Sequence, residues 1–357
     1  AASMMDEMQQ GSTAALVHSP QERLALVVLL GITGVLAGRR VGIDPNTTPE
    51  LVRTILQKAG AKVVNNTDPC ELPKACKNTT EISGFHSAHK RDGLALTRFL
   101  CWLSKEAPKG KLTEITAAAK LENLRREGKY YRGPSFPTIS GSGPNASIIH
   151  YKASKKSNRK LRKGDIYLVD SGGQYNYGTT DVTRTISLNN NNSNIKNIFT
   201  RVLKGHIAVF NTNLNKINTG EEIDKRARFF LKKVNLNYGH GTGHGVGYFL
   251  NVHEGPQAIS KYNNIKILPG MILSNEPGYY EKKKFGIRIE NLVYVERNKN
   301  EIFFKNLTFA PIDTDLINFK MLNTLEKKYL FSYHMDIYAK ISKFLNSNEK
   351  KWLLSLI

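Results

Sequence analysis

The chain has 357 residues, of which 40% are hydrophobic and 23% are charged, and its formal net charge is +22. This length allows a large core and more than one domain, and the composition is that of a soluble globular protein. The three cysteines are too few and too unevenly spaced for a disulfide framework or a familiar zinc site. We therefore expect reduced, mostly buried thiols in a cytoplasmic protein; these are Cys70, Cys76 and Cys101.

The positive charge raises the question of a nucleic-acid or anionic-membrane partner. The lysines are spread through the second half of the chain among asparagines, as in residues 155–163, 282–284 and 298–305. Neither an aromatic RNA-binding signature nor a zinc finger accompanies them. We therefore interpret the lysines as a solvated surface, and we expect neither a nucleic-acid partner nor a membrane partner.

An apolar segment near the start of the chain, residues 24–38, imitates a targeting signal. It is shorter than the roughly 20 residues that a membrane-spanning helix needs, and it lacks the basic start of a signal peptide. We expect it to be a buried helix or strand. The next residues predict a strand at 40–44, a helix at 48–60 with Pro49 in its first turn, and a strand at 61–64.

Apolar residues at helical spacing predict helices over residues 89–106, 113–126 and 195–210. In the second of these helices we expect the apolar residues to face inward; they are Ile115, Leu121 and Leu124.

A capping box formed by Thr219 and Glu222 predicts the start of a fourth helix. Short alternating runs at residues 166–170 and 271–275 predict strands. Composition changes near residue 155, as at a domain boundary, a linker or a join between two coding sources, but the motifs described below cross this point in order. The mixture of elements predicts an α+β fold with helices outside a curved sheet.

Four acidic residues and one histidine stand out as a set: Asp170, Asp181, His244, Glu276 and Glu290. Asp170 ends a predicted strand and Asp181 follows eleven residues later, an interval that suits a hairpin with both carboxylates at the same end. Glu276 precedes a Pro-Gly turn, and Glu290 lies in an alternating strand pattern.

Four carboxylates that converge with one imidazole would repel one another strongly unless cations compensated them. Two divalent metal ions would do so, and this oxygen-rich set with one nitrogen suits Mn²⁺ or Co²⁺ and tolerates Zn²⁺ or Fe²⁺. His240 and His244 stand four residues apart, as in a helical zinc pair. The five glycines between residues 239 and 247 argue against a helix there and predict a loop with close backbone approach.

The stretches that contain these residues resemble the motifs of the aminopeptidase P family. Residues 167–185, 239–256 and 273–291 look like its three metal-binding motifs, and residues 136–151 look like a fourth motif. The resemblance runs from about residue 77 to the C-terminus. It implies a pita-bread fold and the activity of a metal-dependent Xaa-Pro aminopeptidase.

The resemblance also implies which residues bind the metal ions, most favourably two Mn²⁺ ions. Asp170 would bind one ion, His244 and Glu276 would bind the other, and Asp181 and Glu290 would bind both. A hydroxide between the two ions would attack the peptide bond before proline.

The same resemblance assigns roles in handling the substrate. Glu276 would carry a proton to the leaving proline nitrogen. His150 and His253 would hydrogen-bond the substrate and the developing oxyanion, and His240 would help to hold the peptide. Arg288, on the strand face of Glu290, would contact a ligand carboxylate. We interpret the remaining residues of these types as structural or surface residues; they are His18, His86, His89, His206, His334, Thr183 and Arg184.

The domain organisation departs from that of the larger members of the family, which carry two full domains before the catalytic one. We interpret residues 1–80 as the remnant of a creatinase-like N-terminal α/β domain, and residues 81–357 as the pita-bread catalytic domain with its C-terminal tail. The substrates implied are peptides with proline at the second position. Family members are often dimers, so the resemblance also implies a homodimer.

Alternatives to this function remain open. Prolidase shares the fold and the five ligands but cleaves Xaa-Pro dipeptides, and the run at residues 250–256 favours aminopeptidase P instead. The same run and the C-terminal tail disfavour methionine aminopeptidase and creatinase. A non-catalytic pita-bread binding protein is supported only by the charge, and such relatives typically lose ligands, whereas all five are present here.

Overall fold

A computed structural model describes residues 36–357. The chain forms two compact units, Ala1–Cys70 and Glu71–Ile357. Most of the apolar segment that we predicted to be buried, residues 24–35, lies outside the described residues. Within residues 36–357, every helix is too short or too polar to span a membrane.

The described part of the first unit is a strand–helix–strand element. Its two strands, β1 (Arg40–Ile43) and β2 (Lys62–Asn65), pair in parallel, and helix α1 (Glu50–Lys58) connects them. Parallel neighbours need such a crossover, because a tight turn cannot bring the chain back to the same end. The three predicted elements are therefore present, with Pro49 as the N-cap residue of α1.

The second unit contains seven α-helices. In chain order they are α2 (Glu71–Ala75), α3 (Thr79–Glu106), α4 (Glu114–Arg126), α5 (Ser193–Phe210), α6 (Gly220–Lys232), α7 (Thr324–Ile341) and α8 (Ser347–Leu354). Capping boxes open five of them, including the predicted one at Thr219. Because the box of Asn78 and Glu81 satisfies the first backbone donors, α3 begins at Thr79 rather than at the predicted His89.

Two predictions about burial were wrong. Ile115 is 36% exposed, because the buried stripe of α4 passes through Glu114, Ala117 and Leu121, one position away from it. Cys70 is exposed and Cys76 is half-buried, so Cys101 is the only thiol of the described residues that is buried. Cys70 lies in an exposed turn, where its backbone N–H donates to the Asp68 side chain.

Thirteen strands form short sheets inside the layer of helices. They are β3 (Tyr131–Pro134), β4 (Ile139–Ser142), β5 (Ile166–Ser171), β6 (Gly173–Tyr175), β7 (Gly178–Thr179), β8 (Val182–Ser187), β9 (Gly243–His244), β10 (Ala258–Ile259), β11 (Ile272–Asn275), β12 (Gly278–Glu281), β13 (Phe285–Arg288), β14 (Asn291–Asn298) and β15 (Glu301–Asn306). The three larger groups have the orders β3-β6-β7, β4-β5-β8 and β11-β14-β15. This arrangement confirms the predicted α+β class.

Single hydrogen bonds join these short sheets into one curved surface. The Glu290 N–H donates to the Thr183 carbonyl at 3.2 Å, and Gly245 forms an isolated bridge with Leu273. Apolar side chains of α5 and α7 pack with those of β12 and β13 on the outer side.

A buried arginine ties the curved surface to the helices behind it. Arg184 on β8 is 2% exposed and has no carboxylate partner among residues 36–357. Its guanidinium donates instead to neutral oxygens of the main chain, of Asn291 and of Tyr333, at distances from 2.6 to 2.9 Å. One of these acceptors is the Glu290 carbonyl at 2.6 Å. Arg184 thus fixes β8, the start of β14 and α7 together.

We expect Arg184→Met to lower the free energy of unfolding by at least about 3 kcal/mol, because each buried oxygen left without a donor costs about 1–3 kcal/mol. Urea denaturation followed by circular dichroism measures this change. Arg126→Met is the matched control, since the Arg126 side chain is 66% exposed and should contribute less than about 0.5 kcal/mol. Similar losses in the two variants would contradict this account of Arg184.

Candidate metal centre

Two antiparallel strands bring the first two acidic residues together. Asp170 lies in β5 opposite Thr183 of β8, and Asp181 directly precedes β8. The small strands β6 and β7 form the connection between them. Both carboxylates therefore lie at the same end of the strand pair, as the eleven-residue spacing predicted.

Ser274 connects the histidine of the set to the third acid. Its hydroxyl accepts from the His244 N–H at 2.9 Å and donates to Glu276 Oε1 at 3.1 Å. The approach requires glycine at position 243, since a Cβ there would lie 1.9 Å from the Ser274 carbonyl oxygen. Residues 239–247 contain no helix, in agreement with the prediction from the glycines.

Glu290 lies outside regular strand, contrary to our prediction. It falls between β13 and β14, and all residues from Phe285 to Val295 are buried, so the alternation inferred from the sequence is absent. The cause is that both faces of this segment are covered. Thr183 donates to Glu290 Oε2 at 2.6 Å and accepts from Arg288 Nε at 3.1 Å, which aims both side chains at β8.

The five residues converge on one site. One ligand atom each of Asp181, His244 and Glu290 lies within 4.8 Å of the others. His244 Nε2 lies 3.5 Å from Asp181 Oδ2 and 3.4 Å from Glu276 Oε1. The second ring nitrogen, Nδ1, lies 2.9 Å from the Gly245 carbonyl, which can only accept, so Nδ1 carries the proton. Nε2 is therefore free to bind a metal ion.

The charges of the cluster are incompletely balanced. Burial, followed by the neighbouring charges of Asp170 and Glu276, raises the pKa of Asp181 well above its ordinary value. Burial and the charge of Asp181 do the same to the pKa of Glu290. Burial also raises the pKa of Glu276, although His244 and Arg288 oppose this shift. Bound cations would remove this repulsion, so the donor set fits divalent metal ions.

Arg288 begins a chain of hydrogen bonds that ends at His240. Its Nη2 donates to Asp170 Oδ2 at 2.6 Å, and its Nη1 donates to the Tyr280 hydroxyl at 2.6 Å. His240 Nδ1 faces the Gly241 carbonyl at 2.6 Å and therefore carries the proton. Its Nε2 must then accept from the Tyr280 hydroxyl, 2.9 Å away.

These hydrogen bonds restrict the role that we predicted for His240 in holding the peptide. Both ring nitrogens are engaged within the protein, so His240 can contact a peptide only through the face or edge of its ring. Sequence reasoning missed Tyr280, because a tyrosine four residues after an acid carries no recognisable signal. It also missed Ser274, whose serine type gives no sign of its two contacts.

The five candidate ligands line a cavity with a volume of about 490 Å³, and the other two predicted histidines line it as well. His253 lies against His244, with ring centroids 4.0 Å apart, and His150 is exposed at the rim. Burial and the nearby imidazoles of His244 and His150 lower the pKa of His253 to about 4. His253 is therefore neutral at physiological pH, and an apolar wall that includes Phe136 and Ile139 completes the cavity.

The residues that we interpreted as structural occupy positions that fit this interpretation. His89 and His206 are buried, and each directs Nδ1 to a backbone carbonyl, at 2.8 and 3.1 Å respectively. His334 accepts from the Ile312 N–H at 3.0 Å. His86 is half-buried, and His18 lies outside the described residues.

Comparison with known protein families covers most of the chain. The family model for metallopeptidase family M24 matches residues 83–297, and the model for the C-terminal region of peptidase M24 matches residues 302–355. A probable Xaa-Pro aminopeptidase P of Coprinopsis cinerea is 41% identical over 91% of this chain and 55% of its own length. Aminopeptidase P2 of Arabidopsis thaliana is 43% identical over 80% of this chain and 42% of its own length. The chain thus spans about half the length of the curated relatives it matches.

Solved structures give the same result. An X-prolyl aminopeptidase of Caenorhabditis elegans, described as a cytosolic enzyme with a di-nuclear active site, superposes with a TM-score of 0.78 at 32% identity, covering 89% of this chain and 61% of the other. A prolidase of Pyrococcus furiosus has a TM-score of 0.63 at 27% identity, covering 78% and 79%. These likenesses confirm the predicted pita-bread fold.

We expect Asp181→Asn to have opposite effects with and without metal. Without metal, the variant should unfold at a higher temperature than the wild type, because one of several repelling buried charges is gone. With Mn²⁺ at about 100 times its dissociation constant, the wild type should gain about 2.7 kcal/mol, and the variant should gain much less. Differential scanning calorimetry with and without Mn²⁺ measures both effects.

The exposed Glu301→Gln is the matched control and should behave like the wild type in both conditions. A wild type that Mn²⁺ does not stabilise, or an Asp181→Asn variant that gains as much as the wild type, would count against the metal centre.

We expect Tyr280→Phe to weaken Mn²⁺ binding about tenfold, because Arg288 loses the partner that orients it towards Asp170. Isothermal titration calorimetry measures the affinity. Tyr262→Phe removes a hydroxyl from a residue that is 83% exposed and should leave the affinity unchanged. Equal affinities for the Tyr280→Phe protein and the wild type would show that the hydrogen-bond chain does not hold the centre.

Proposed function

We propose that this chain, which belongs to metallopeptidase family M24, is an aminopeptidase that hydrolyses the peptide bond before a proline at the second position. The observation that best supports this function is the convergence of four carboxylates and His244 at the base of a cavity that also holds His253 and His150. A relative named probable Xaa-Pro aminopeptidase P and another named aminopeptidase P2 support the choice of substrate.

We propose that the cofactors are two divalent ions, and that these are Mn²⁺, with Co²⁺ and Zn²⁺ as alternatives. A site of carboxylate oxygens with one imidazole suits Mn²⁺, whereas a zinc site would more often contain further nitrogen or sulfur ligands. Asp170 would hold one ion, His244 and Glu276 would hold the other, and Asp181 and Glu290 would contribute to both. When bound, such ions activate water and polarise a carbonyl oxygen.

The side chains around the proposed metal site would transfer a proton, stabilise the developing negative charge and contact the peptide. Glu276, whose pKa burial raises, is suited to hold a proton and to release it to the leaving proline nitrogen. Ser274 orients Glu276 by donating to its Oε1 at 3.1 Å. His253 is neutral and can donate one N–H to an oxygen on which negative charge develops. His150 would meet the peptide at the cavity rim.

His240 would contribute mainly by shape. The hydrogen-bond chain through Tyr280 holds its ring in one orientation, and burial lowers its pKa to about 3, so it stays neutral. A rigid neutral ring beside the ligands is suited to packing against the pyrrolidine of proline. Residues 81–357 would supply all of these groups, and residues 1–80 would be the remnant of a preceding α/β domain.

Two further properties stay predictions. We propose a cytoplasmic location, as described for the aminopeptidase of Caenorhabditis elegans. We also propose a homodimer, on the family resemblance. The lysine-rich surface remains our interpretation of the net charge of +22.

We expect the protein with Mn²⁺ to release the first residue of an Xaa-Pro-Xaa tripeptide and to release little from an Xaa-Pro dipeptide. Liquid chromatography with mass spectrometry measures both reactions. Faster hydrolysis of the dipeptide would instead support a prolidase. Glu276→Gln should lower kcat by at least about 100-fold, because it loses both proton transfer and a metal ligand.

The exposed variant Glu301→Gln controls for a general loss of carboxylate charge and should keep the wild-type rate. Full activity of Glu276→Gln would refute the proposed mechanism. Metal-free protein that neither hydrolyses peptides nor binds Mn²⁺, yet binds nucleic acid at physiological salt, would support the non-catalytic alternative.

A further inference from the structure

An aminopeptidase holds a single residue on one side of the cleaved bond, so the rest of the peptide must leave through the open mouth of the site. On this chain the mouth includes exposed residues that follow one another along a single segment. His150 and Lys152 both line the cavity and are both exposed. The residues of a peptide that follow its proline would therefore pass this segment, if the chain has the proposed function.

A lysine-rich loop continues from this edge of the cavity. Residues 152–163 contain seven lysines and arginines and no acid. The lysines that follow His150 first along the chain are Lys152, Lys155 and Lys156; all three are exposed, and Lys152 lines the cavity. The turn between β12 and β13 adds two more exposed lysines, Lys282 and Lys283.

Contacts fix the turn against the same edge. The Lys283 N–H donates to the Ser147 hydroxyl at 3.2 Å, and Ser147 comes three positions before His150. The β12–β13 hairpin also packs closely on residues 143–147, since a Cβ at Gly286 would lie 1.8 Å from the Ala146 carbonyl oxygen. The turn therefore lies against residues 143–147, the segment that leads along the chain to His150 and Lys152. We call Lys152, Lys155, Lys156, Lys282 and Lys283 the basic rim.

Within the described part of the chain, the positive charges of the basic rim are not neutralised by acidic side chains. Two neighbouring cations do have partners, since Arg159 pairs with Asp165 at 3.0 Å and Lys284 pairs with Glu281. Among residues 36–357, none of the five lysines of the basic rim forms an ion pair. Uncompensated charges of one sign at the mouth of a cleft attract substrates of the opposite sign and raise their rate of association.

We propose that the basic rim makes the site selective for peptides that carry aspartate or glutamate after the proline. This inference rests on the proposed function for its direction of substrate binding. Carboxylates two or three residues beyond the cleaved bond would lie among the lysines, whereas the four carboxylates of the metal centre lie deeper in the cavity. The rim acts through charge, so its effect must weaken as salt shortens the range of the interaction.

Two measurements test the rim, the first of them on Mn²⁺-loaded protein. The first is kcat/KM for Ala-Pro-Asp-Asp-Ala and for Ala-Pro-Asn-Asn-Ala, two peptides that differ only in charge. The second is the dissociation constant of the same peptides with a fluorescent label at the C-terminus, measured by anisotropy on Glu276→Gln. The binding measurement does not need hydrolysis, so it tests the rim even if the proposed activity is absent.

We expect the wild type to prefer the acidic peptide by about tenfold in low salt, and by less than about twofold in 0.5 M NaCl. The variant Lys152→Gln/Lys155→Gln/Lys156→Gln should lose most of this preference. The matched control Lys327→Gln/Lys328→Gln/Lys351→Gln removes three exposed lysines from α7 and α8, which do not line the cavity, and should keep it.

Equal kcat/KM values and equal dissociation constants for the two peptides in low salt would overturn the basic rim and leave the aminopeptidase proposal intact. Hydrolysis of neither peptide, together with tighter binding of the acidic one, would overturn the aminopeptidase proposal and support the rim. An equal loss of preference in both triple variants would show a general effect of net charge and would also overturn the rim. Tighter binding of a labelled single-stranded oligonucleotide of equal charge would do the same.

Discussion

Mutual repulsion among four closely spaced carboxylates, three of them buried and Glu276 half-buried, is the constraint on which the rest of this structure depends. Asp170, Asp181, Glu276 and Glu290 share one cavity, and Arg288 is the basic side chain that touches the cluster directly. A fold that holds like charges together must be stabilised elsewhere, and it gains much when cations bind. Binding of divalent ions is therefore favoured by the protein itself as well as by the chemistry of the ligands.

Neutral groups keep the ligands in place while the charges repel one another. Thr183 and Ser274 each connect two residues of the centre through one hydroxyl. Behind them, Arg184 donates to main-chain oxygens, one of which belongs to Glu290, and so connects the inner surface to α7. Arg184 therefore helps to position the backbone of Glu290 while its own side chain stays outside the cavity.

The side chains at the mouth of the cavity carry positive charge, opposite in sign to that of the carboxylates inside it. Carboxylates line the inside of the cavity, whereas the basic rim consists of lysines that form no ion pair within residues 36–357. A peptide with acidic residues after its proline would place its charges at the rim and its neutral first residues at the deep end. Under this proposal, the part of the net charge of +22 that lies near Lys152 attracts acidic peptides.

The sequence by itself determined the types and spacing of the candidate ligands, the main helices and the glycine-rich loop, because these follow from residue chemistry and from local periodicity. From the sequence alone we could not predict that Glu290 lies outside a strand, that Ile115 is exposed, or that the Tyr280 hydroxyl hydrogen-bonds His240. Those outcomes depend on contacts between distant positions, such as that of Thr183 with Glu290 across 107 residues. Only the tertiary structure decides which atoms meet over such separations, because side-chain direction depends on what each surface packs against.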